Sequence, residues 1–94
     1  MWKIKISKNC LKELTRVPQH IRRQFEEIFL SSDDVENPFD YQEFGAWLEK
    51  LRGEENCYKV RIGDWRVGIF LNKEERILQV VTIFHRGTEY RSFP

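Results

Sequence analysis

The nine residues Tyr58 to Arg66, Y-K-V-R-I-G-D-W-R, read as two strands folding back on each other. Alternation sends Tyr58, Val60 and Ile62 to one side of the first strand and Lys59 and Arg61 to the other. Gly63-Asp64 is a turn signal, beyond which Trp65, Val67, Ile69 and Leu71 share the apolar side while Arg66 and Gly68 join the polar one. A symmetric turn there sets Arg61 across from Arg66 and Lys59 across from Gly68. Like charges directly opposite on a sheet repel, and a glycine offers Lys59 no partner. The hairpin thus presents three cations with nothing opposite to neutralise them, as suits a face that receives something anionic.

Outward from the hairpin, the residues after a loop at 72–75 form a last strand from Arg76 to about Phe84. Leu78, Val80, Val81 and Ile83 make it apolar on both faces, which predicts a central or well-covered position. At the other end W-K-I-K-I puts Trp2, Ile4 and Ile6 on one face of a first strand, and Ser7 suits a helix N-cap. Cys10, Leu11, Leu14 and Val17 follow at helical spacing, Pro18 ends that helix, and Ile21, Phe25, Ile28 and Phe29 carry a second stripe with Arg22, Arg23, Glu26 and Glu27 outside. Residues 31–40 read as a polar, acidic loop. Tyr41, Phe44, Leu48 and Leu51, with Asp40 and Glu43 as a capping box and Gly53 as a stop, predict a third helix across 41–52, against which Gly45 counts. The expectation is an α+β fold: an N-terminal strand, a helical hairpin, then a three-stranded antiparallel meander, in one mostly antiparallel sheet with helices on one face.

Ninety-four residues fit one domain spanning 1–94 with a single two-layer core. No apolar run approaches a membrane span or a secretory signal, so the expected setting is the cytoplasm, without a membrane partner. Cys10 and Cys57 have no metal-type or C-x-x-C spacing and read as reduced, small apolar residues. The net charge is only +1, but residues 1–31 carry seven cations and three anions, 32–55 two and eight, and 56–94 seven and four. The acidic excess is confined to the middle, which leaves room for a local basic surface.

L-E-K-L-R-G (48–53), C-Y-K-V-R-I-G-D-W-R-V (57–67) and H-R-G-T-E-Y-R (85–91), with the N-terminal strand and helical pair, make the chain resemble the RelE/ParE superfamily of toxins from bacterial and archaeal toxin–antitoxin pairs. It looks more like the RelE branch, ribosome-dependent mRNA endonucleases, than the ParE branch, which poison DNA gyrase. The resemblance implies a toxin that cuts mRNA in the ribosomal A site and so inhibits translation, with no cofactor or metal. It also implies a cognate antitoxin in a hetero-oligomer, and contact with the ribosome and mRNA. RelE-type nucleases use positive residues on the central strands, an arginine at the end of the last strand and a nearby tyrosine; Lys59, Arg61, Arg66, Arg86 and Tyr90 fall on those places. Two features depart from the pattern. Arg61 stands where well-known members carry a second lysine, and the interval from Arg86 to Tyr90 is short.

These residue types suit RNA cleavage without a metal. Attack of a 2′-hydroxyl on its own 3′-phosphate needs a base, cationic donors for the charge gathering on phosphorus, and a proton for the leaving 5′-oxygen. A lysine among arginines gives up its proton more readily, so Lys59 suits the base as well as a clamp. Arg61 and Arg66 offer forked donors to phosphate oxygens. Arg86 or His85 is the candidate for the leaving group's proton, and Tyr90 for orienting the hydroxyl or stacking a base. Arg52, Lys73, Arg76 and Arg91 read as surface charges or RNA and ribosome contacts. The other reading, of a different class, is a non-enzymatic inhibitor of a host protein such as DNA gyrase, or a toxin homologue that only binds its antitoxin.

Overall fold

Alternation at the N-terminus and along the hairpin is realised as six strands of one mixed sheet in a computed structural model. It describes residues 1–31, 34–35, 48–50, 53 and 55–87, with the backbone alone at 34, 35, 48 and 50. The elements are β1 (Trp2–Ile6), α1 (Lys8–Leu14), α2 (Gln19–Phe29), β2 (Asp34–Val35), β3 (Leu48–Lys50), β4 (Cys57–Ile62), β5 (Trp65–Asn72) and β6 (Ile77–His85). The sheet runs β2-β1-β6-β5-β4-β3. β1 is parallel to β6 and every other pair is antiparallel, as the expected fold class requires. Among the described residues no helix is long and apolar enough to cross a membrane.

The β4–β5 register is the one the sequence implies, with Arg61 opposite Arg66 and Lys59 opposite Gly68. Gly63 opens the two-residue turn at φ +57, a backbone that favours glycine, and a Cβ there would stand 3.3 Å from Ile21 Cδ1. β6 does lie centrally, but its double apolar pattern has another cause. Gly68 pairs with Thr82 and Ile69 with Val80, so Val81 is an extra, unpaired residue. This bulge shifts the alternation by one, and Leu78, Val80 and Ile83, although out of phase in sequence, are all buried in the one core.

Two short strands were not expected. β2 has two residues, too few for a period to show. The predicted third helix is overturned at 48–50, which pairs with β4 as an edge strand in the register Leu48↔Val60, Glu49↔Lys59, Lys50↔Tyr58. Its apolar spacing of three and four imitates a helix because a three-residue strand has no period of its own. The rest of that segment lies outside the described residues.

α1 and α2 bring Cys10, Leu14, Val17, Ile21, Phe25, Ile28 and Phe29 onto the apolar sheet face. Phe25 and Phe29 meet with ring centroids 4.9 Å apart. Leu11, counted in the apolar stripe, is instead 48% exposed, because Cys10, Leu14 and Val17 already form the contact line. Ser7 is the N-cap: its hydroxyl accepts from Cys10 N–H at 3.0 Å and donates to the carbonyl of bulged Val81 at 2.7 Å. β1 ends at Ile6, opposite Val80, and beyond it α1 supplies Glu13. That carboxylate accepts from Thr82 Oγ1 at 2.6 Å and from Ile83 N–H at 3.1 Å. Arg22, assigned to the outer face by periodicity, turns back to donate to the carbonyls of Leu14, Thr15 and Val17 at 3.1, 3.3 and 3.3 Å. These carbonyls lie at the C-terminal end of α1 and in the connection that follows it, where Leu14 O also accepts from Val17 N–H at 3.2 Å. Both cysteines are buried, and neither is in a disulfide. Burial, aided by the nearby Glu13 carboxylate, pushes the Cys10 thiol up to about 12, so it stays protonated at neutral pH.

Two stability measurements follow from these contacts. Glu13→Ala leaves a buried hydroxyl and a strand N–H without their acceptor, and is expected to cost about 2–3 kcal/mol in denaturant unfolding. Arg22→Ala removes charge-assisted donors from a helix end and is expected to cost about 1–2 kcal/mol, whereas exposed Arg23→Ala stays within about 0.5 kcal/mol. Equal effects of the two arginine variants would refute the capping role.

Candidate functional site

Alternation along β4 and β5 directs Lys59, Arg61 and Arg66 away from the helices, and the end of β6 brings Arg86 to the same end of the sheet. Lys59 sits half-buried in the middle of β4, between Glu49 of β3 and Gly68 of β5. Among the described residues it makes no ion pair. Arg61 and Arg66 face each other one step nearer the turn, with Phe84 next in the row. Repulsion between the two arginines is relieved sideways. Arg61 Nη2 lies 3.3 Å from Glu49 Oε1, and Arg66 Nη1 folds over the turn to donate to the carbonyls of Gly63 and Trp65, each at 3.0 Å.

The expectation that nothing neutralises this face is therefore corrected. Glu49 was hidden because its segment has helical spacing, and only strand pairing brings it beside Arg61. Asp64 read simply as a turn residue. It lies just before β5, and antiparallel pairing carries the end of β6 to it: Arg86 N–H donates to Asp64 O at 2.7 Å and Arg86 Nε approaches Asp64 Oδ1 at 3.5 Å. That neighbour was legible in principle, since the residue before β5 must meet the residue after β6 once the strands pair. Both ion pairs are more than half open to solvent or nearly so, with side chains between 48% and 63% exposed. In that setting they hold their arginines weakly, at about 0–1 kcal/mol each.

His85 is not brought into the cluster. It follows Ile62 and Trp65 in register, on the helix side of the sheet. Its ring meets Trp65 edge-on at 5.3 Å, and its Nδ1 accepts from Gly87 N–H at 3.2 Å, which leaves the proton to Nε2. With Pro18, His20, Gln24 and Asp64 it lines a depression of about 480 Å³. Lys73 and Arg76 occupy the β5–β6 turn at the opposite end of the sheet, where Lys73 is seven residues from Arg66, or about 23 Å. Arg52, Tyr90 and Arg91 lie outside the described residues.

The arrangement can grip a phosphate group: one lysine and two arginines on a sheet face, a third arginine at its end, and counter-ions weak enough to be displaced. Comparison with known proteins agrees with that fold. The family described as "ParE toxin of type II toxin-antitoxin system, parDE" matches residues 4–90. Toxin RelE3 of Methanocaldococcus jannaschii is 30% identical over 92 residues, covering 98% of this chain and 99% of the relative. In the crystal structure of the archaeal RelE-RelB complex from Pyrococcus horikoshii OT3, a chain 26% identical superposes with a TM-score of 0.70 over 94% of this chain and 98% of that one. The RelB-RelE antitoxin-toxin complex from Methanococcus jannaschii gives a TM-score of 0.69 at 26% identity, over 96% and 99% of the two chains. With the family matched over nearly its whole length and the sheet, helical pair and strand order in place, this chain belongs to the RelE/ParE superfamily of toxins from type II toxin–antitoxin systems.

Proposed function

We propose that this toxin is a metal-independent endoribonuclease that cleaves mRNA in the ribosomal A site and is held inactive by a cognate antitoxin in a hetero-oligomer. The observation that carries the reading is the convergence of Lys59, Arg61 and Arg66 on one sheet face with Arg86 at its end. Lys59 is the group suited to take the 2′-hydroxyl proton. The O2′–P bond then forms, the charge on the phosphoryl oxygens is met by the forked donors of Arg61 and Arg66, and the P–O5′ bond breaks. Arg86 steadies the departing oxygen as a hydrogen-bond donor, since a guanidinium keeps its proton, and solvent supplies the proton itself. His85, on the other side of the sheet, is not needed for these steps. Tyr90 keeps its proposed part in orienting the hydroxyl or a base. Arg52, Lys73, Arg76 and Arg91 are proposed as peripheral contacts to RNA or the ribosome.

The partner is proposed from the relatives, whose structures are complexes of RelE with RelB. A second reading, non-enzymatic inhibition of a host protein such as DNA gyrase, is favoured by one observation: the matching family is described as ParE. Expression without antitoxin, followed by primer extension on a translated reporter, separates the two. The nuclease reading expects new transcript ends, and intact transcripts with altered DNA supercoiling would replace it by the second.

Arg66→Ala and Arg86→Ala are expected to melt within about 1 kcal/mol of the parent, since both arginines make only exposed or half-exposed contacts. In single-turnover cleavage of ribosome-bound mRNA each is expected to be slower by on the order of a hundredfold, the loss of one preorganised donor. Parental rates in both variants would move the site elsewhere.

Cations repel a divalent ion, and the two neighbouring carboxylates, Glu49 and Asp64, are each engaged by an arginine. Cleavage is therefore expected to survive chelation to a level at which ribosomes stay intact, and to leave 2′,3′-cyclic phosphate and 5′-hydroxyl ends. Loss of cleavage on intact ribosomes would overturn the metal-free chemistry.

A further inference from the structure

The sheet face that carries the cationic cluster continues past it. On β5 the next positions on that face after Arg66 are Gly68 and Phe70, and Phe70 is 40% exposed, an aromatic ring open to solvent in the middle of a sheet. Across the strands the row runs from Phe70 to Gln79 of β6 and on to exposed Lys5 of β1. Phe70 stands four residues from Arg66, or about 13 Å, and Lys5 two strands from Phe70, or about 10 Å. Among the described strand residues, two acidic positions fall in register with this face, both on edge strands: Asp34 of β2, opposite Lys3, and Glu49 of β3, opposite Lys59; Asp64 stands in the turn at its end, paired with Arg86. The four inner strands present no acid on it. Lys5 has no ion pair among the described residues.

Cations interleaved with an exposed aromatic ring suit single-stranded nucleic acid, whose bases stack while its phosphates are neutralised. We propose that the four inner strands form one track for single-stranded RNA, on which a base near the cleaved phosphate stacks on Phe70 and the backbone beyond it is met by Gln79 and Lys5. The inference rests on the reading of the cluster as an RNA site. A polypeptide laid on the same ring would not need Lys5, and the positive charge that β1, β4 and β5 bring to this face favours the polyanion.

The probe is a labelled single-stranded oligouridylate carrying 2′-O-methyl groups, which cannot be cleaved, followed by fluorescence anisotropy at several salt concentrations. The parent is expected to bind with an affinity that falls as salt rises. Lys5→Ala should reduce the slope of log affinity against log salt by about 0.7, the share of one phosphate contact on a single strand. Phe70→Ala should weaken binding by between about 5-fold and 150-fold with the slope unchanged, and Phe70→Trp should restore it. Both side chains are exposed, so thermal unfolding checks that the variants keep the parental fold. A parent without salt-dependent affinity, or folded variants with parental affinity and slope, would overturn the track. So would variants that bind RNA like the parent but lose affinity for an antitoxin peptide, which would give the patch to the peptide. Because the probe cannot be cut, failure of the nuclease reading shows separately, as a parent that leaves ribosome-bound mRNA intact.

Discussion

The structure depends on how β6 is held at the point where β1 stops. β6 pairs with β5 along its length but with β1 only as far as Val80. Past that point it slips phase at Val81 and loses its neighbour. An unpaired strand edge in a core this small would leave donors without partners. Ser7 at the N-cap of α1 and Glu13 in its last turn close that edge with a hydroxyl and a carboxylate. The contacts that dock α1 on the sheet are thus the contacts that tolerate the bulge. The bulge in turn keeps Leu78, Val80 and Ile83 in one core. Two residues past Ile83 the same strand ends at His85, on the helix side, and Arg86 follows it beside the β4–β5 turn.

On the opposite face the sheet carries charge that does nothing for folding. Arg61 and Arg66 are set across from one another, an arrangement that destabilises a strand pair unless something intervenes. In the free protein the intervention is local and weak: Glu49 takes Arg61, two turn carbonyls take Arg66, and Asp64 takes Arg86. All but the half-buried Arg66–Trp65 contact are open to water, and a guanidinium can bind a phosphate through two parallel hydrogen bonds in place of such contacts. The near-neutral total charge is compatible with this, because the acidic residues crowd into the middle of the chain while the inner strands stay basic or neutral on this face. Attraction of a polyanion over long distances is correspondingly modest.

Local pattern determined much of this protein. Period-two alternation marks β1, β4 and β5, helical spacing marks Cys10 to Phe29, and Gly63-Asp64 sets the register that opposes Arg61 to Arg66. Side-chain direction in a regular element follows from position alone. Tertiary structure decided what no period encodes. Three-residue β3 is a strand only because β4 has a free edge for it, so Glu49 beside Arg61 was invisible where Tyr41, Phe44, Leu48 and Leu51 imitate a helix. Val80-Val81 read as apolar on both faces, whereas a bulge resolves it into one. Arg22 read as a solvated helix charge, yet it and Glu13 each close the end or edge of another element. His85 stands beside Arg86 in sequence and across the sheet from the cluster in space, because adjacent strand residues point to opposite faces. Each of these outcomes rests on hydrogen-bonding groups left open by one element and satisfied by another far along the chain, which is information that exists only once the elements have met.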